Sequence, residues 1–257
     1  MRVRVRHTKL GKIRFTSHRD TARHWERAVR KAEVPLVYSA GFTPRPRMSF
    51  GLALPTGGES LAEYLDMELA VAADAAPPDL AQLCARFGAA LPVGYEVSLV
   101  VPCEPGSPSL QEDVVACTWQ LVLEGVSHAE AEAAVAATLA RPTLLVERER
   151  KGQRSTDDVR AAIEELSIGV AAGDPATDVL SGTSVLDDPR PHLCAVLATN
   201  GRGLRPTELV AALFPALDPV DTTARVLRTH QWIERDGVRR EIIPAHPFAA
   251  RTPVECA

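Results

Sequence analysis

MRVRVRHTKLGKIRFTSHRDTARHWERAVRKA, residues 1–32, sets a strand directly before a helix, and the reading of the whole chain starts there. From Met1 to Arg6 arginine alternates with valine at period two, the pattern of a strand with one buried face, and Lys12 to Phe15 continues it after the turn at Gly11. At Ser17 the period changes. Ser17 is a good N-cap, Asp20 lies in the first turn, and Ala22, Trp25, Val29 and Ala32 recur at helical spacing. The spacing predicts a helix of about four turns that ends before Pro35.

Downstream, VYSAGFTPRPRMSFGLALP (37–55) carries two glycines and several prolines, so Tyr38 to Arg47 is expected as a loop and Met48 to Leu54 as a strand. AEYLDMELA (62–70) alternates again and should pair with it through TGGES. PPDLAQLCARFGAAL (77–91) is a helix with proline at its start, and YEVSLVV (95–101) a strand. The resulting order, βαββαβ, is the ferredoxin-like arrangement: an antiparallel sheet with helices on one face. After the polar connector PCEPGSPSLQED the pattern returns in diverged form. CTWQLVL, TLLVERER, HLCAVLA and ARVLRTHQWIE read as strands, HAEAEAAVAATLA and TELVAALF as helices, and VRAAIEELSIGV as a short mixed segment. The expectation is an α+β protein of two ferredoxin-like halves, residues 1–102 and 114–243, joined by a linker at 103–113. A proline-rich tail, 244–257, has no period and is expected to be disordered.

Charge is distributed unevenly along the chain. Residues 1–48 carry 13 Lys/Arg against three acidic residues, a balance of +10, whereas residues 49–149 carry three against 15, a balance of −12. Such asymmetry marks either a surface for a polyanion or a basic segment that pairs with acidic neighbours in the same fold. The N-terminus lacks the apolar core of a signal peptide, and no run reaches the roughly 18 apolar residues of a membrane helix, so a cytoplasmic protein is expected. Cys84, Cys103, Cys117, Cys194 and Cys256 include no CxxC pair, which argues against a disulfide scaffold, a zinc ribbon or an iron–sulfur cluster held by this chain alone. HExxH, GxSxG and Walker motifs are absent, the histidines lack zinc-ligand spacing, and a non-catalytic role is favoured.

The densest polar cluster is RFTSHRD, at a strand-to-helix junction whose unpaired backbone N–H groups favour an anion. Arg14, Ser17, His18 and Arg19 would surround it. Along the helix Arg23, Arg27, Arg30 and Lys31 make one exposed face cationic. In the loop, Arg45 and Arg47 stand among prolines, with Tyr38, Phe42 and Phe50 as stacking surfaces, a combination suited to a nucleotide or single-stranded RNA. Glu59, Glu63 and Asp66 are read first as salt-bridge partners, and Glu59 with Lys151 and Arg154 makes up a secondary polar site. NGRGLRP (200–206) is a glycine-containing turn without a nucleotide-binding fingerprint.

The segments RVRHTKLGKIRFTSHRD, AVRKAEVPLVYSAGFTPRPRMSFGLALPTGGES and AEYLDMEL together resemble the radical-SAM-linked protein family, a bacterial domain of unknown function. KGQRSTDDVRAAI and RVLRTHQWIERDG are similar to later family segments. Where that family's loop carries asparagine-proline-histidine-proline, this chain has Thr43, Pro44, Arg45 and Pro46. The resemblance implies a companion to a cobalamin-binding radical SAM protein, with the iron–sulfur cluster and S-adenosylmethionine carried by that partner and no cofactor on this chain. The function expected is RNA or nucleotide binding in support of tRNA or rRNA modification. Two alternatives stand beside it. One is a metal-free RNA-processing nuclease with His18 as general acid or base and Lys12 or Arg14 at the cleaved phosphate, by fold analogy with CRISPR repeat endoribonucleases. The other is an assembly partner that presents its acidic middle.

Overall fold

The computed structural model describes residues 1–72, 74, 76–150, 152–169, 189–201 and 203–243. The Arg/Val stretch forms β1 (Arg2–Lys9), in which Val3 and Val5 are wholly buried. A 3₁₀ turn (Gly11–Phe15) leads to α1 (His18–Lys31), capped by Ser17, whose hydroxyl accepts from the Asp20 N–H. Trp25 is fully buried on the inner face of α1 and meets Phe87 edge-on at 5.6 Å. Phe87 comes from α2 (Leu80–Ala90), which Asp79 caps. Strands β2 (Met48–Phe50), β3 (Gly58–Glu68) and β4 (Val97–Pro102) complete the first half. All pair antiparallel, with β4 and β3 flanking β1 and β2 on the outer edge of β3.

The second half has more elements than the first. Strand β5 (Val114–Leu123) precedes α4 (His128–Leu139), where α3 is the single turn Leu110–Asp113. The hairpin of β6 (Leu145–Arg150) and β7 (Gln153–Asp158) follows, then β8 (Ile163–Ile168), β9 (His192–Ala198), α5 (Pro206–Leu213), α6 (Pro219–Thr222) and β10 (Thr223–Arg235). Strands β10, β5, β9 and β8 lie side by side and antiparallel. The two halves share one mostly antiparallel sheet because β10 pairs in parallel with β3, Val226 to Arg228 against Gly58 to Ser60. The far end of β10 carries β11 (Val238–Glu241).

Two large apolar clusters underlie the sheet. Leu83 and Phe87 of α2 join Trp25, Val29, Leu65 and Met67 in one, and Val135 of α4 and Leu209 of α5 join Leu121, Leu193 and Leu197 in the other. Burying a large apolar side chain contributes about 1.5–3 kcal/mol, so the sheet and its helices are held chiefly by these contacts.

The differences from expectation have local causes. The strand expected over 48–54 stops at Phe50: after Gly51 the chain turns away, and the Leu52 carbonyl accepts from the Arg228 guanidinium at 2.8 Å. The TLLVERER strand pairs only with β7, in a separate two-stranded sheet. The mixed segment resolves into a 3₁₀ turn and β8, and the connector contains α3, closed by a Ser109–Glu112 capping box that fixes the buried Leu110 beneath Tyr64. The tail expected to be disordered lies outside the described residues. No described helix is long and apolar enough to cross a membrane.

Candidate functional site

Much of the N-terminal positive charge is neutralised by strand β3 and its neighbours. Arg2 and Arg4 both bond Asp66, with Arg4 Nε at 2.7 Å, and the pair Arg4–Asp66 is buried. Arg6 meets Glu241 at 3.5 Å, and Arg47 meets Glu68 at 3.0 Å. The period-two arginines of β1 therefore face a second packed surface and not open solvent.

At the opposite end of β3 from Glu68, the seam between the halves opens as a cleft of about 890 Å³, within the range of small-molecule sites. Three features of the sequence build it. First, the 3₁₀ turn holds Arg14 and Phe15 at the rim: the Gly11 N–H donates to Glu59 Oε1 at 2.8 Å and the Gly57 N–H to the Arg14 carbonyl at 2.8 Å. Leu10 N–H donates to the Gly94 carbonyl at 2.9 Å, an approach that requires glycine at 94. Its φ is +102°, and a Cβ there would stand 2.5 Å from the Leu10 oxygen. Second, the start of β10 supplies Arg225 and Arg228. Third, the N-cap of α5 supplies Arg205 and its first turn Thr207.

Four arginines line the cleft: Arg14, Arg205, Arg225 and Arg228. Threonines 56, 199, 207 and 223 add hydroxyls, and among the described residues no carboxylate side chain lines it. The acids that answer these arginines sit behind the wall. Glu59, almost wholly buried, accepts from Arg225 Nε at 3.0 Å and lies 3.9 Å from Arg14. Glu63 accepts from Arg228 Nη2 at 2.6 Å. Arg228 is 1% exposed and lies over the Trp119 ring at 5.3 Å. Burial opposes its charge, and Glu63 is the largest of the influences that offset this, so its pKa stands above the ordinary value. Arg205 is exposed; its backbone N–H donates to Glu208 Oε2 at 2.9 Å, and no ion pair is formed by its guanidinium among the described residues. Arg14 lies 4.6 Å from the centroid of the Phe15 ring, and Phe15 is 63% exposed, an arrangement in which a cation and an apolar ring face solvent together.

Leu52 and Leu54 separate the cleft from a water-sized cavity of about 20 Å³ lined by His7, Lys9, His18, Thr21 and Glu63. Lys9 is 3% exposed, and its ammonium donates to the Thr16 carbonyl at 2.9 Å. Burial, above all, lowers the pKa of both Lys9 and His7. The Cys117 thiol beside the cleft is pushed up to about 11 by burial, which keeps it protonated at neutral pH.

The residues singled out in the sequence divide into two groups. Arg14 is in the cleft, and Ser17 caps α1. His18 packs edge-on against Phe50 at 5.4 Å, and Arg19 is exposed on the first turn of α1. Tyr38, Arg45 and Arg47 lie toward the other end of β3, where Tyr38 bridges Pro46 and the Arg45 N–H donates to Ser39 Oγ at 3.1 Å. Glu59 and Glu68, which mark the two ends, are nine residues apart on one strand, roughly 30 Å. Arg154 is exposed on β7, in register with Glu149, and Lys151 lies outside the described residues. Sequence reasoning missed Arg205, Arg225 and Arg228. The one local signal was an arginine at a position flanked by apolar residues in ARVLRTHQWIE, where a buried strand would otherwise place an aliphatic side chain.

Residues 2–203 match the family model DUF2344, described as an uncharacterized protein conserved in bacteria. No curated protein matches the chain.

Proposed function

The chain belongs to the DUF2344 family of uncharacterized bacterial proteins, and from that premise we propose that it is a non-catalytic RNA- or nucleotide-binding protein whose ligand enters the seam cleft. The observation that carries this reading is the lining: four arginines and four threonines, with the carboxylates held behind the wall. An anion entering the cleft meets arginine and threonine donors with no carboxylate side chain in the lining, and Phe15 offers a ring against which a base can stack. The matching strand orders, β4-β1-β3-β2 and β10-β5-β9-β8, support two ferredoxin-like halves with the ligand at their junction. The similarity to the radical-SAM-linked family supports a radical SAM enzyme as partner, which would bring the iron–sulfur cluster and S-adenosylmethionine. This chain would then present RNA to it.

Binding of AMP and of a short oligoribonucleotide, measured by titration calorimetry, tests the cleft. The double variant Arg14→Ala/Arg205→Ala is expected to bind at least about 10-fold more weakly, the loss of charge-assisted hydrogen bonds worth ~1.5–3 kcal/mol each. Wild-type protein that binds neither ligand, or a variant that binds as well as wild type, overturns the reading. The partner is tested separately by co-purification with a co-expressed radical SAM protein.

A further inference from the structure

Five cationic residues that β3 does not neutralise lie together on α1. On α1 the buried positions are Thr21, Trp25, Ala28 and Val29, which leaves Arg19, Arg23, Arg27, Arg30 and Lys31 on the outer face. Arg23 has an exposed partner in Asp20, and Lys31 donates weakly to the Ala89 carbonyl at 3.4 Å. Arg19, Arg27 and Arg30 have no carboxylate partner among the described residues. From Arg19 to Lys31 the helix rises roughly 18 Å.

Along the chain this ridge follows directly on the cleft rim. Arg14 and Phe15 at the cleft rim precede the first turn of α1 by three residues, and Arg19 is the first exposed cation after them. Beyond the helix the chain returns to β3 at its other end, where Leu36 bridges Leu69 and the Val37 N–H donates to the Glu68 carbonyl at 2.8 Å. Helix α1 therefore leads from the cleft toward the end of β3 where Arg45 is exposed. A globular ligand would engage one part of such a path, whereas a flexible chain with evenly spaced negative charges can engage all of it.

Resting on the cleft assignment above, we propose that the ligand is a single strand of nucleic acid whose terminal nucleotide occupies the cleft and whose following phosphates run along the outer face of α1. In this arrangement the terminal base stacks on Phe15 in place of a partner base, so the strand is single. Charge on α1 supplies affinity in proportion to strand length, and Arg14, Arg205 and Phe15 hold the end.

Fluorescence anisotropy with strands from a dinucleotide to about a dodecamer, as RNA, as DNA and as duplex, across a salt series, tests this on the full chain. Affinity is expected to rise with length and then level off once the ridge is covered. The triple variant Arg19→Glu/Arg27→Glu/Arg30→Glu, all on exposed positions, is expected to weaken the longer strands by roughly 10-fold or more and to lower the salt slope by about two. Its AMP affinity should stay at the wild-type value. Stronger binding of RNA than of DNA would assign RNA as the source of the strand, and equal binding would assign single strands of either kind. Both uphold the track. Affinity that does not change with length, a triple variant that binds long strands like wild type, or duplex bound as tightly as single strand overturns it. Loss of AMP binding by the wild-type protein would instead remove the cleft assignment itself, so the two failures are distinguishable.

Discussion

Two arginine–carboxylate pairs lean on the same strand, β3. Arg228 and Glu63 meet at the seam with the arginine 1% exposed, whereas Arg47 and Glu68 meet at the other end with both side chains open to solvent. Chemically the pairs are alike. In water the Coulomb attraction at contact is about 1 kcal/mol and is offset by ordering two long side chains. In the interior each charge has been stripped of water, and whichever partner is left alone bears that cost. The seam is therefore intolerant of single substitutions at the positions that shape the cleft, and the outer rim is permissive.

The largest expected effect tests the intolerant end. Glu63→Ala leaves Arg228 buried with the Leu52 carbonyl and the Cys117 side chain but no carboxylate beside it, and should cost about 3–5 kcal/mol, read as a lowered urea midpoint at unchanged slope. A loss no larger than that of an exposed pair would mean that water reaches Arg228 and that the two pairs do not differ in kind. Gly94→Ala should cost about 1–3 kcal/mol, from a side chain forced into a positive φ and against the Leu10 carbonyl. Because that contact seats the 3₁₀ turn, AMP affinity should fall along with thermal stability.

A pH titration of stability sharpens the same contrast. Burial lowers the pKa of His7 below its ordinary 6.5, so between 6.5 and the folded value the unfolded chain takes up a proton that the native protein does not. Above 6.5 both states are neutral and the residue has no effect. As pH falls below 6.5 stability should decline, and His7→Gln should flatten that part of the profile. A profile identical in the variant would sink the assignment. The smallest effect belongs to the exposed pair: Arg47→Ala should change stability by less than about 1 kcal/mol, within the spread of surface substitutions.

How far the sequence could be read follows the range of the interactions concerned. Val3, Val5, Trp25 and Val29 announce their elements through local period, and the structure places them in the core. Ser17 caps the helix that its position suggests, whereas the helix expected from Pro77 starts only at Leu80, after the cap Asp79. Arg14 was singled out because its neighbours mark a strand-to-helix junction, and the structure places it at the cleft rim. Arg225 and Arg228 were not, because their role depends on a parallel pairing between β10 and β3 that no local pattern encodes. The basic N-terminal balance was visible, but its division into paired and unpaired arginines was not. Asp66 and Glu241 select their partners only once the sheet has formed.

Strand β10 ties that sheet together, and it does so with almost the last residues of the described chain. The bond from Arg225 to Glu59 spans 166 positions. During synthesis the first half has β1 to β4 and its own core long before β10 leaves the ribosome, yet the Gly58–Ser60 edge of β3 has nothing to pair with until then. An unpaired edge beside a half-built cleft is a site for mispairing with another nascent chain, and closing so long a loop is slow. Truncation before Thr223 should therefore leave a folded but sticky first half, and the capacity to hold a ligand at the seam arrives only when translation of β10 is complete.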